Sequence, residues 1–101
     1  MRRLKGSIEE REVKYLISQA HKVMSMISLT NPLSREDIEF LKQVFSKEPK
    51  DITMEEAEKI IEIGKKWWKE DGTEEAYRIF LTGLYIKAYL ISKSVKKKQN
   101  N

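Results

Sequence analysis

One stretch limits what this chain can fold into more than any other. Between Ala76 and Ile91 the sequence reads AYRIFLTGLYIKAYLI, and only Arg78, Thr82, Gly83 and Lys87 are neither apolar nor aromatic. The run is too short to cross a bilayer, and Arg78 and Lys87 interrupt it. No proline breaks it, so it reads as the middle of a helix. A helix apolar on nearly every side has to be wrapped by other elements. The sequence therefore predicts an all-α domain, a four-helix bundle with the fourth helix at its centre. At 101 residues the chain has material for one modest core and not for two, so residues 1–101 are read as a single helical domain.

The other three helices follow from their caps and periodicities. Ser7 and Glu10 have capping-box spacing ahead of an apolar stripe (Val13, Leu16, Ile17, Ala20, Val23, Met24, Ile27), which predicts a first helix over 8–28. Pro32 closes that segment, because the residue before proline is driven out of the helical region. Ser34, followed by Glu36 and Asp37, starts a short second helix over 35–46, with Ile38, Leu41 and Phe45 facing in and Phe40 and Val44 to one side. Thr53 and Glu56 repeat the capping-box spacing and open a third helix over 54–70, with Ala57, Ile60, Ile61, Gly64, Trp67 and Trp68 on its apolar side. In the same helix, Glu55–Lys59 and Glu62–Lys66 have the i, i+4 spacing of helical ion pairs. Asp71 and Gly72 end it, and Thr73 with Glu74 and Glu75 starts the fourth, over 74–96. Residues 1–6 and 97–101 are expected to be basic, flexible tails.

Three features of these helices call for a physical reason. Gly64 and Gly83 lie on apolar faces of helix interiors, where glycine costs about 1 kcal/mol relative to alanine. Close approach of the third and fourth helices at these positions would supply one. Lys87 lies toward the middle of an apolar side, and its ammonium is expected to snorkel outward or meet a glutamate. On a helical wheel Arg78, Thr82, Tyr85, Tyr89, Ser92 and Lys96 fall on one line beside Glu74, which predicts a single solvent-facing ridge on the fourth helix. Arg78, Tyr85 and Tyr89 on that ridge, with Tyr15 and Met26 on the outer side of the first helix, are the candidate partner-binding residues, since Tyr and Arg are favoured at interface hot spots.

The net charge of +4 misleads until it is located. Arg2, Arg3 and Lys5 contribute +3 and Lys96, Lys97 and Lys98 another +3, which leaves −2 for the body between them. That is not the footprint of a domain with one strongly basic face. Arg2, Arg3, Lys96, Lys97 and Lys98, together with Lys65, Lys66 and Lys69 around Trp67 and Trp68, are the candidate nucleic-acid-binding residues, by phosphate pairing and base stacking. A helix-turn-helix is disfavoured: the KEPKDI link is long, and the would-be recognition helix begins Met-Glu-Glu-Ala-Glu. The abundance of Lys and Glu, 15 and 13 against 3 Gln and 3 Asn, is thermophile-like.

With no cysteine and one histidine, His21, there is no thiolate chemistry and too little imidazole for the common metal constellations. No secretory signal is expected, since charges resume in MRRLKGSIEERE before any apolar stretch. The expectation is therefore a cytoplasmic, non-catalytic helical accessory subunit or adaptor with no cofactor, metal, membrane or small-molecule substrate. Its partner would be another protein or a second copy, within an assembly that handles nucleic acid. The alternative is a direct, non-sequence-specific DNA- or RNA-binding protein, and a small enzyme ranks third.

Overall fold

A computed structural model describes residues 9–27 and 32–99, with side chains through Ser94. The described residues form four α-helices and one 3₁₀ turn, with no strand among them: α1 (Glu10–Ser25), α2 (Arg35–Val44), the 3₁₀ turn (Pro49–Asp51), α3 (Met54–Asp71) and α4 (Glu74–Gln99). The all-α reading is thereby established.

The helix starts largely follow the capping residues. Ser34 Oγ accepts from the Asp37 amide at 3.1 Å to open α2. At α3 the full reciprocal box forms: Thr53 Oγ1 accepts from the Glu56 amide at 3.1 Å, and Glu56 Oε1 accepts from the Thr53 amide at 3.0 Å. The other carboxylate oxygen of Glu56 accepts a hydrogen bond from Lys47 Nζ at 2.7 Å, tying the preceding loop to the helix. Partial burial pushes the Glu56 carboxyl up, but the Lys47 and Thr53 hydrogen bonds and the Lys47 charge outweigh it and hold the group below its ordinary value of 4.5. At α1 the described helix opens differently. Ser7 lies outside the described residues, and the N-cap is Glu9, whose side chain makes no cap bond.

Several boundaries shift. α1 stops at Ser25, where Ser25 Oγ donates to the Lys22 carbonyl (2.9 Å) and the Met26 amide bonds the Lys22 and Val23 carbonyls. Ile27 still packs on the core, but from non-helical backbone, which is why the apolar pattern outlasts the helix. α2 closes at Val44 with i→i−3 bonds from Ser46 and Lys47, and Val44 itself is core rather than flank. In the next link Pro49 and Ile52 are buried and Glu48 meets Lys14 of α1 at 3.4 Å, so this loop is built into the fold. α4 runs to Gln99, past the predicted end at 96. The backbone of 97–99 is thus helical rather than tail, as suits good helix formers whose cations complement the C-terminal dipole.

α3 and α4 form an antiparallel hairpin turned by Gly72, whose φ of 63° lies in the left-handed region that glycine enters without a Cβ penalty. Theirs is the largest interface in the molecule, followed by α1 against α4. The two interior glycines make the hairpin tight, as their spacing predicts. A Cβ on Gly64 would lie 2.5 Å from the Phe80 amide nitrogen and 2.7 Å from its Cα. One on Gly83 would lie 2.9 Å from Ile60 Cγ2 and from Ile61 Cγ1. The core around this crossing contains Val13, Ile17, Ala20, Met24, Leu41, Val44, Ile60, Trp67, Ala76, Ile79 and Ile86.

The bundle differs from expectation in one respect. α2 packs on α1 and α3, and α4 makes its main contacts with α3 and α1. α4 takes part in the two largest interfaces, as a central helix should, but one side of it, at Tyr77, Leu84 and Ile91, is left uncovered. A chain with one short helix has too few long neighbours to surround a rod of 26 residues, about 39 Å.

Two measurements check this packing. Gly64→Ala gains about 1 kcal/mol of helix propensity but drives a methyl into the Phe80 backbone, so urea unfolding should show a net loss of about 2 kcal/mol at unchanged m. Glu56→Gln keeps the capping box and discharges the Lys47 pair. Because the folded carboxyl titrates below its unfolded value, its contribution is present above the ordinary carboxylate pKa and is lost as pH falls through the folded one. Below about pH 4.5 the native protein should therefore lose stability on acidification more steeply than the Gln variant, read as urea midpoints across that range.

Candidate functional site: the outward seam of the long helix

The rotation of α4 about its axis decides which of its side chains can meet a partner. Its inward residues are Ala76, Ile79, Thr82, Gly83, Ile86 and Tyr89, all buried. Gly83 and Phe80 lie against α3, and Lys87 reaches Glu58 of α3 at 3.4 Å with its side chain half-exposed. The snorkel-to-glutamate expectation for Lys87 thus describes what is seen.

The predicted solvent ridge is not where the wheel put it. Tyr89 is 4% exposed and Thr82 1% exposed, so both belong to the core, and Tyr89 is withdrawn as an exposed partner-binding residue. Local chemistry makes their burial affordable. Thr82 Oγ1 donates to the Arg78 carbonyl at 2.7 Å, and the Tyr89 ring buries its body while Lys93 Nζ lies 5.5 Å from its centroid. Tyr85 is half-buried and Ser92 likewise. Arg78 is exposed and donates to Glu74 at 3.2 Å.

The true outward face is rotated by about 100° from the predicted one. It consists of Tyr77, Leu81, Leu84, Ala88 and Ile91: Tyr77, Leu84 and Ile91 are 40%, 39% and 45% exposed, and Leu81 and Ala88 are half-buried. The spacing is 4-3-4-3, the a/d pattern of a coiled-coil seam, without a charge or hydrogen-bonding backbone break in it. At its N-terminal end the seam widens into an aromatic cluster. Trp68 of α3, 42% exposed, lies 5.2 Å from the Tyr77 ring and stacks on Phe80 at 6.2 Å. Sequence reasoning missed this seam because it placed the solvent-facing ridge on the line of Arg78, Thr82, Tyr85 and Tyr89 instead. The 4-3-4-3 spacing is present in the sequence, but in a helix apolar nearly all round it does not say which face stays uncovered.

The remaining candidates scatter. Tyr15 and Met26 of the α1 side are strongly exposed, as expected. Met26 and Arg78 line one cavity of about 260 Å³ with Gln19 and Lys22, where the end of α1 meets the start of α4, and Tyr15 is not part of it. Lys65, Lys66 and Lys69 are exposed, but the two tryptophans among them diverge. Trp67 is buried and its Nε1 donates to Asp71 at 3.2 Å, whereas Trp68 joins the surface cluster. Lys66 faces away from Trp68, into a cavity of about 470 Å³ beside the start of α2, where Asp37, Glu62 and Glu70 accompany Lys59 and Lys66. That wall is of mixed charge, unlike a phosphate groove. Lys59, spaced to pair with Glu55, lies over the Phe40 ring at 4.5 Å instead. Arg2 and Arg3, and the side chains of Lys96, Lys97 and Lys98, lie outside the described residues.

Among the described residues no group of three or more His, Asp or Glu side chains is placed to hold a metal, and no helix is long and apolar enough to cross a membrane. His21 is exposed on α1, at the edge of a shallow cleft facing the end of α2. The chain matches no family model, no curated protein and no solved structure.

The rotation of α4 can be tested by truncation. Tyr89→Ala removes a buried ring and should cost about 3 kcal/mol in urea unfolding, while Tyr85→Ala should cost about 1 kcal/mol or less. Equal losses would mean the helix is turned as the wheel first placed it.

Proposed function

We propose that this protein is a non-catalytic docking subunit that works in the cytoplasm by presenting the α4 seam to another helix. The observation behind this reading is the seam itself: five apolar side chains in heptad spacing on the outside of a folded domain, extended by Trp68 and Phe80. Isolated exposed apolar residues need no explanation, but a continuous apolar stripe on a protein in water does. Heptad spacing suits a helical partner, because knobs repeating every 3.5 residues fit the holes of a facing helix.

The basic side chains at the two ends of the chain would add a non-specific attraction to nucleic acid for an assembly built on this subunit. They are poorly suited to be the main binding element. Binding that rested on about six such charges would weaken ~10³-fold between ~50 and ~200 mM salt. A seam-mediated complex depends on apolar burial and should survive that change.

A photo-crosslinking amino acid placed at position 84, in the seam, or at position 12, on an exposed part of α1, separates the two modes in the native host. Adducts with a protein at 84 and not at 12, retained at ~0.5 M salt, are expected. Complexes that dissolve with salt or nuclease and give no adduct at 84 would overturn the docking reading in favour of direct nucleic-acid binding.

A further inference from the structure

We infer that the helix occupying the seam is α4 of a second copy of this chain, running antiparallel. This rests on the docking reading above and names its partner. The argument is one of charge and register. Around its turn, the hairpin carries Glu70, Asp71, Glu74 and Glu75 against Lys69 and Arg78, so the N-terminal end of α4 is acidic on balance. The other end carries Lys93 and, in its last helical turns, Lys96, Lys97 and Lys98. Two such helices attract when antiparallel and set like charges against each other when parallel.

The heptad makes the pairing specific. In an antiparallel coiled coil each a position faces a d position of the other helix. On α4 the a positions are 74, 81, 88 and 95, and the d positions are 77, 84, 91 and 98. Setting Leu81 opposite the second copy's Ile91 also sets Leu84 opposite Ala88. Each of these layers pairs a larger with a smaller or similar apolar residue. The neighbouring register, with Leu81 opposite Leu84, would put the Glu74 carboxylate against Ile91. The favoured register puts the two-fold axis near residue 86, at the middle of the helix, so the whole length of α4 is used.

Beside that axis the two copies of Lys87 approach one another. Each is already held by Glu58 of its own α3 at 3.4 Å, so each subunit contributes a neutralised pair rather than a bare cation. Tyr85 flanks the axis on the other side, half-buried in one chain and available to its counterpart. The paired α4 helices would lie at the centre of the dimer, each covered by its own α1 and α3 and by the other α4. The second copy supplies the cover that this chain's short α2 cannot.

Because the chain has no cysteine, single introduced thiols report alignment without background. Sedimentation equilibrium from ~1 µM to ~1 mM should show a monomer–dimer equilibrium. Leu84→Glu, or Ala88→Glu as a second variant, should weaken the dimer ~100-fold or more while far-UV circular dichroism shows the fold retained. Mixed L81C and I91C proteins should form the heterodisulfide under mild oxidation, and neither should cross-link efficiently alone. Glu74→Lys should weaken association ~10-fold. A monomer at ~1 mM, a dimer indifferent to both glutamate variants, or efficient L81C–L81C cross-linking would each overturn the antiparallel dimer. If the protein is monomeric yet position 84 cross-links to a different protein, the docking function stands and the second copy is ruled out. If position 84 finds no protein at all, both are overturned.

Discussion

The architecture depends on the contact between α3 and α4 at Gly64 and Gly83. At each, the missing Cβ lets the facing helix come closer than any side chain would permit, with the Phe80 backbone lying on Gly64 and Ile60 and Ile61 closing over Gly83. Two such contacts on an antiparallel hairpin fix more than separation. They fix how α4 is turned about its own axis, because only one face of α4 carries the glycine. Everything that α4 shows to solvent or to a partner follows from that rotation.

Given the rotation, the polar groups on the inner face have to be satisfied from close by, and they are. Thr82 uses the carbonyl one turn back, Trp67 uses Asp71, and Lys87 escapes to Glu58. Among the described residues no buried side-chain nitrogen or oxygen lacks a hydrogen-bond partner. A core settled in this way can accept a threonine and a tyrosine without strain and needs no further apolar residues from α4. The surplus, Tyr77 through Ile91 at heptad intervals, is left outside. It lies there because two long neighbours cannot enclose a third helix that is apolar nearly all round. That surplus is the feature on which the proposed docking role rests.

Much of this organisation was legible in the residues. The starts of α2, α3 and α4 follow from Ser34, Thr53 and Thr73, whose hydroxyls accept the expected amide bonds. The glycine crossing was legible because interior glycines on apolar faces are destabilising unless something presses against them. The escape of Lys87 to a glutamate was legible for a similar reason, since a buried ammonium has few alternatives. The ridge that the wheel predicts on α4 consists largely of hydroxyl-bearing residues, and a hydroxyl does not by itself mark a solvent-facing position. A threonine that bonds its own helix, or a tyrosine that buries its ring, sits inside as readily as outside.

The sequence by itself determined the helical class, most of the caps and the pair of glycines that must touch, because propensity, capping and the cost of glycine are local or nearly local terms. Only the tertiary structure decided which third of α4 remains uncovered. That choice depends on the number, length and placement of neighbouring helices, and no periodicity within α4 carries it. When a helix is apolar on nearly every side, its own pattern permits several rotations, and the closest contact with its neighbour selects one of them.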